Sequence, residues 1–168
     1  GRPFLSVGSA SDGVSILSVA QAPRVSSIER QSPAASPTNA DSVTWRVTFN
    51  EAVQNVTAGD FSLAGSTATL SVNNVSATVA DVTASGGDLA NLEGTVTLSF
   101  AGGQDIESAQ SVALSNTAPT GTNDATFDLD NTAPRIASIE RQTPASSPTS
   151  ADSLTWRVTF DGAVSNVG

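Results

Sequence analysis

One segment of this chain occurs twice. Residues 22–57 read APRVSSIERQSPAASPTNADSVTWRVTFNEAVQNVT, and residues 133–168 read APRIASIERQTPASSPTSADSLTWRVTFDGAVSNVG. Of the 36 aligned positions 26 are identical, and others are mild exchanges such as Val25/Ile136 and Val43/Leu154. Ala22 recurs as Ala133 and Trp45 as Trp156, a constant offset of 111 residues. Solenoid repeats run to about 20–50 residues, so this period is too long for one. It fits a whole domain of about 100–150 residues. The expected organisation is one complete domain over 22–132 and the first part of a second over 133–168. Residues 1–21 then form the final-strand segment of a preceding module or an N-terminal extension. Within them Asp12–Val19 is the expected strand, because Ile16 aligns with Phe127 at the same offset.

The hydrophobic pattern inside the repeat has period two. In Ser42–Phe49 the residues Val43, Trp45, Val47 and Phe49 point one way, and Thr44, Arg46 and Thr48 the other. That alternation, with β-branched and aromatic residues, predicts a half-buried strand with Trp45 in the core. The copy repeats it with Leu154, Trp156, Val158 and Phe160. Further strands are predicted at Arg24–Glu29, Thr67–Val72, Ser76–Thr83, Gly94–Phe100 and Ala125–Leu129. Turn-formers separate them at Asn73-Asn74, Ser85-Gly86-Gly87-Asp88, Ala101-Gly102-Gly103 and Pro119-Thr120-Gly121. Only Val56–Phe61 and Asp105–Gln110 could form a helical turn. About seven short strands in some 110 residues predict an all-β, immunoglobulin-like β-sandwich.

Composition excludes several classes of function. The chain has 16 acidic residues against 7 arginines, a net charge of −9, and no lysine, histidine or cysteine. Nucleic acids and anionic membranes require clustered positive charge, so neither is an expected partner. Disulfides and cysteine zinc sites cannot form, and the usual general base is missing. No apolar run of about 18 residues is present to span a membrane. Carboxylate pairs such as Asp105/Glu107 or Asp41/Asp60 could serve a glycosidase. Nothing places either pair across a cleft, however, and no enzymatic activity is expected.

The string Pro37-Thr38-Asn39-Ala40-Asp41-Ser42-Val43-Thr44-Trp45-Arg46-Val47-Thr48-Phe49 resembles bacterial immunoglobulin-like repeats. So do Glu51-Ala52-Val53, Val56-Thr57-Ala58-Gly59-Asp60-Phe61 and the junction Asp130-Asn131-Thr132-Ala133-Pro134. The resemblance implies a tandem array in a large secreted or surface-anchored protein, such as an adhesin or biofilm-associated protein. It implies an extracellular or cell-surface location and a spacer role, with neighbouring modules of the same or an adjacent chain as partners. A host or matrix glycan or protein is the other partner class. Loops such as Ser85–Asn91 or Gly102–Gln110 would have to carry that binding, although they contain no aromatic platform.

One constellation suggests a ligand. Asp124, Asp128, Asp130 and Asn131 gather just before Ala133-Pro134, and calcium takes six to eight oxygen ligands of this kind. Asp128–Pro134 also resembles a cadherin-type calcium linker, and that likeness implies Glu140 as a further ligand from the next opening strand. The expected inter-domain calcium site is therefore Asp128, Asp130, Asn131 and Glu140. The alternative is that Asp128 and Asp130 form the solvated face of the last strand, alternating with Phe127 and Leu129. Finally, 133–168 contains no counterpart of 58–132 that could cover Leu154, Trp156, Val158 and Phe160. Two arrangements would supply the cover: a window on a longer array, or a filament in which chains exchange strands.

Overall fold

The computed structural model describes residues 21–165 and 167. The expected strand at Asp12–Val19 lies outside them. The described strands are β1 Val25–Ser32, β2 Ser42–Phe49, β3 Val53–Gln54, β4 Phe61–Ala64, β5 Thr69–Ser76, β6 Val79–Ser85, β7 Glu93–Phe100, β8 Glu107–Ser108, β9 Thr126–Asp130, β10 Ile136–Thr143 and β11 Thr155–Phe160. They form a four-stranded sheet β1-β2-β6-β5, a three-stranded sheet β4-β7-β9, and the pairs β3-β8 and β10-β11. All these ladders are antiparallel. The chain is all-β, and its two larger sheets share one core in a manner consistent with a β-sandwich.

Period two decides which side chains enter that core. Along β2 every second residue is buried, and β6 does the same with Ala80, Val82 and Ala84. From the three-stranded sheet come Val96, Leu98, Phe127 and Leu129. Trp45 joins the sheets: its ring meets Phe127 edge-on, with centroids 5.1 Å apart at 67°. Each such side chain contributes roughly 1.5–3 kcal/mol when taken from water.

The opening strand of this unit runs beside the segment that leads into its last strand. Parallel backbone hydrogen bonds tie β1 and its approach to the segment leading into β9. They run from Val25 N to Asn116 O (3.2 Å), Ile28 N to Thr122 O (2.9 Å), Gly121 N to Ser26 O (2.8 Å) and Asp124 N to Ile28 O (2.8 Å). The β1–β2 connection then crosses to the other sheet. There Thr38 donates to Asp128 O (2.9 Å) and accepts from Asp130 N (3.0 Å), which closes the outer edge of β9.

Two local expectations are corrected. Asn73-Asn74 is not a turn but part of β5, where Asn73 pairs with Asp81 and Asn74 with Ala80. The Asn74 amide donates to Val56 O at 3.1 Å, so the strand continues to a reversal at Ala77-Thr78. Asp105–Gln110 is not helical but contains β8, because Glu107 and Ser108 pair with Gln54 and Val53. The helical turn expected within Val56–Phe61 is present as a 3-10 turn at Ala58–Asp60.

The repeated segment folds the same way twice. In β1–β2 the partners are Val25/Phe49, Ile28/Val47, Glu29/Arg46 and Arg30/Trp45. In β10–β11 they are Ile136/Phe160, Ile139/Val158, Glu140/Arg157 and Arg141/Trp156, with register shifts at the same two places.

Candidate functional site

The polar residues expected to bind ligands are largely occupied in holding the fold. Asn131 turns its amide inward, donating to Leu89 O at 2.9 Å and Leu92 O at 3.1 Å, while its backbone N–H donates to Glu93 Oε1 at 2.6 Å. Asp128 Oδ1 accepts from Thr95 Oγ1 at 2.6 Å, and Asp130 Oδ1 from Thr132 N at 3.3 Å. Asp128 and Asp130 are exposed while Phe127 and Leu129 are buried, so β9 has the expected outer acidic face. Glu140 stands in β10 opposite Arg157, as Glu29 stands opposite Arg46. Among the described residues no three acidic, histidine or cysteine side chains come together as a metal-holding group.

The two candidate binding loops are also anchored. In Ser85–Asn91, Leu89 is wholly buried, and Asp88 Oδ1 accepts from Ser66 Oγ (2.5 Å) and Thr67 N (2.9 Å). Those hydrogen bonds, led by Ser66, hold the Asp88 carboxyl below its ordinary pKa. Gly87 lies at φ +59°, and an added Cβ would sit 2.6 Å from the Thr67–Ala68 backbone, which explains the glycine in this turn. In Gly102–Gln110, Ile106 is wholly buried.

Asp60 ties that second loop to the 3-10 turn. Its side chain accepts from Thr57 N (2.7 Å), Thr57 Oγ1 (2.8 Å) and Asp105 N (3.0 Å), and its carbonyl accepts from Ala101 N (2.8 Å). Burial alone would raise its pKa, but the hydrogen bonds from Thr57 and Asp105 outweigh burial and hold it below the ordinary value. Both residues belong to carboxylate pairs weighed from the sequence as glycosidase candidates. Here Asp60 is buried in a staple, and Asp105 contributes a backbone donor to it. On the outer face of the four-stranded sheet, Arg46 binds Asp81 through two bonds, Nε–Oδ1 at 2.8 Å and Nη2–Oδ2 at 2.9 Å. The bond to Asp81 raises the Arg46 pKa.

What remains open is the face of β10–β11. Trp156 is 52% exposed where Trp45 is 0%, and Ile139 is 60% exposed where Ile28 is 3%. Ile136, Leu154 and Val158 are exposed with them, forming an apolar sheet face. The sequence anticipated this face but missed the polar residues beside it, Arg141, Ser147 and Thr149. Their signal was identity between the copies, since Arg30, Ser36 and Thr38 match them without change. No protein-family model matches the chain, and neither a curated protein nor a solved structure matches it.

Proposed function

We propose that the chain is a non-catalytic structural segment of a bacterial extracellular repeat protein, built from immunoglobulin-like modules that extend and space whatever the protein presents. The observation that carries this reading is the parallel pairing of the opening strand of 22–132 and its approach with residues 116–124, and of Thr38 with the last strand. A pull on residues 22 and 132 loads the bonds from Val25, Ser26 and Ile28 to Asn116–Asp124, and from Thr38 to β9, in shear. Bonds loaded in shear must fail together, which raises the barrier that governs forced unfolding. The anchored loops support the same reading, because the Asp88 and Asp60 carboxylates are engaged in holding them in place. The 111-residue period supports a tandem array.

The test is single-molecule extension of the chain with handles at Ala22→Cys and Thr132→Cys, which the absence of native cysteine makes site-specific. A mechanical module releases its length in one event of about 350–400 Å, the contour of some 110 residues. Gradual extension without a discrete event would sink the spacer reading.

A further inference from the structure

The sandwich is split along one side of β7. Residues Glu93–Thr97 of that strand pair with β9, and Leu98 N still donates to Ala125 O at 2.8 Å. Beyond that bond the chains part, because β7 runs on to Phe100 against β4 while residues 116–124 pair with β1 instead. The opening between them is a groove of about 350 Å³, with the buried Ile28 and Leu98 at its floor. Each wall is held by the fold itself. Phe100 pairs with Phe61 across β4 and β7, their rings 4.9 Å apart. The opposite wall is pinned by the bonds from Ile28 N to Thr122 O and from Gly121 N to Ser26 O, and by Asn116 Oδ1, which accepts from Ala118 N at 2.9 Å.

We propose that this groove is a binding site for a neutral sugar residue of a glycan. Its lining carries no charged side chain, although the chain has 16 acidic residues and 7 arginines. Two partly exposed apolar side chains, Phe100 and Pro119, offer a surface for the C–H face of a pyranose ring. Around them Thr97, Thr117 and Asn123 supply two hydroxyls and an amide, groups that both donate and accept, as neighbouring sugar hydroxyls require. These three are not spent on the fold. Thr95 is engaged by Asp128 and Ser99 by Ser62, whereas the side chains of Thr97, Thr117 and Asn123 make no hydrogen bond among the described residues. An apolar lining with a few convergent polar groups is the usual make-up of a small-ligand site, and walls formed in advance need no ordering on binding. The net charge of −9 disfavours acidic sugars, so the class is the uncharged one. The aromatic surface absent from 85–91 and 102–110 is supplied instead at the end of β7. This site does not rest on the spacer reading, and its failure would leave that reading intact.

The experiment is saturation-transfer NMR on the whole chain with the methyl glycosides of glucose, galactose, mannose and N-acetylglucosamine, and with methyl glucuronide as the charged comparison. At least one neutral glycoside should saturate with a Kd of about 1–10 mM, and the glucuronide should bind about fivefold more weakly or worse. Asn123→Ala and Thr117→Ala should each weaken the neutral ligand about threefold or more. Both side chains are exposed, so the urea midpoint should stay where it is. Phe100→Ala should remove binding and Phe100→Tyr should retain it, which separates loss of the ring surface from loss of the fold. No saturation by any neutral glycoside up to about 50 mM would overturn the proposal. Binding undiminished in both Asn123→Ala and Thr117→Ala would overturn it too, as would a glucuronide bound as tightly as the neutral sugars.

Discussion

The two tryptophans make a controlled comparison, since they occupy the same position of the same hairpin and differ in what covers them. Trp45 is fully buried against Phe127, and truncating such a residue to alanine costs about 3–5 kcal/mol. With a urea dependence of about 2 kcal/mol per molar, Trp45→Ala should lower the unfolding midpoint by about 2 M. Trp156 is half exposed, so Trp156→Ala should cost less than about 1 kcal/mol and move the midpoint by less than about 0.5 M. Trp45→Phe should be far milder than Trp45→Ala, at about 1 kcal/mol. The buried indole Nε1 has no hydrogen-bond partner among the described residues, so phenylalanine keeps the edge contact and removes an unpaired donor. Urea titrations followed by far-UV circular dichroism read all three variants. Tryptophan emission gives a second reading: Trp156→Phe should leave blue-shifted emission, and Trp45→Phe red-shifted emission. Equal costs for the two alanine variants, or a larger cost at Trp156, would refute the assignment of the core to the first copy.

Four further outcomes are expected. Asp60→Ala strips the acceptor from Thr57 N and Asp105 N and should cost roughly 2–4 kcal/mol in the same urea titration. Because Asp60 and Asp88 have pKa values below the ordinary one, their contribution is complete above about pH 4 and is lost as pH falls through the lowered folded values. Urea midpoints should therefore hold steady from neutral pH down to about pH 5 and fall below about pH 4, with a shallower fall in Asp60→Asn. Gly87→Ala must accommodate both a positive φ and a backbone collision, so a loss of about 1–3 kcal/mol is expected by thermal unfolding. The calcium expected at Asp128, Asp130, Asn131 and Glu140 is read from the thermal midpoint in millimolar calcium: a clear rise would establish an ion at the junction, and an unchanged midpoint would exclude one at that concentration.

How much of this was legible in the sequence depends on how local each signal is. The alternation of Ser42–Phe49 fixes a face without knowledge of partners, and β2 has those bounds with Trp45 inside. The short pieces β3, β4 and β8 carry too few residues to show a period; they exist because Asp60 and the Gln54–Glu107 contact hold their ends. Asn73-Asn74 has turn chemistry, but ladder pairing with β6 and the bond to Val56 O override it, a tertiary effect invisible along the chain. Acidic spacing at 124–131 was legible, yet the partners of each oxygen were not, because Thr95, Leu89 and Leu92 are 33–42 residues away. The roles of Arg30 and Ser36 likewise appear only when β9 is placed against them, 92–96 residues downstream.

On the proposed reading, 22–132 resists force because the bonds from β1 to residues 116–124 and from Thr38 to β9 are loaded in shear, and the direction of pulling tests it. One variant carries handles at Ala22→Cys and Thr132→Cys. The other carries them at Thr69→Cys and Ser85→Cys, directly paired residues at the open end of β5–β6, where a pull separates one rung at a time. The rupture force should be several-fold higher through residues 22 and 132 than through 69 and 85, at equal loading rate. Equal forces, or a weaker response along 22–132, would contradict it.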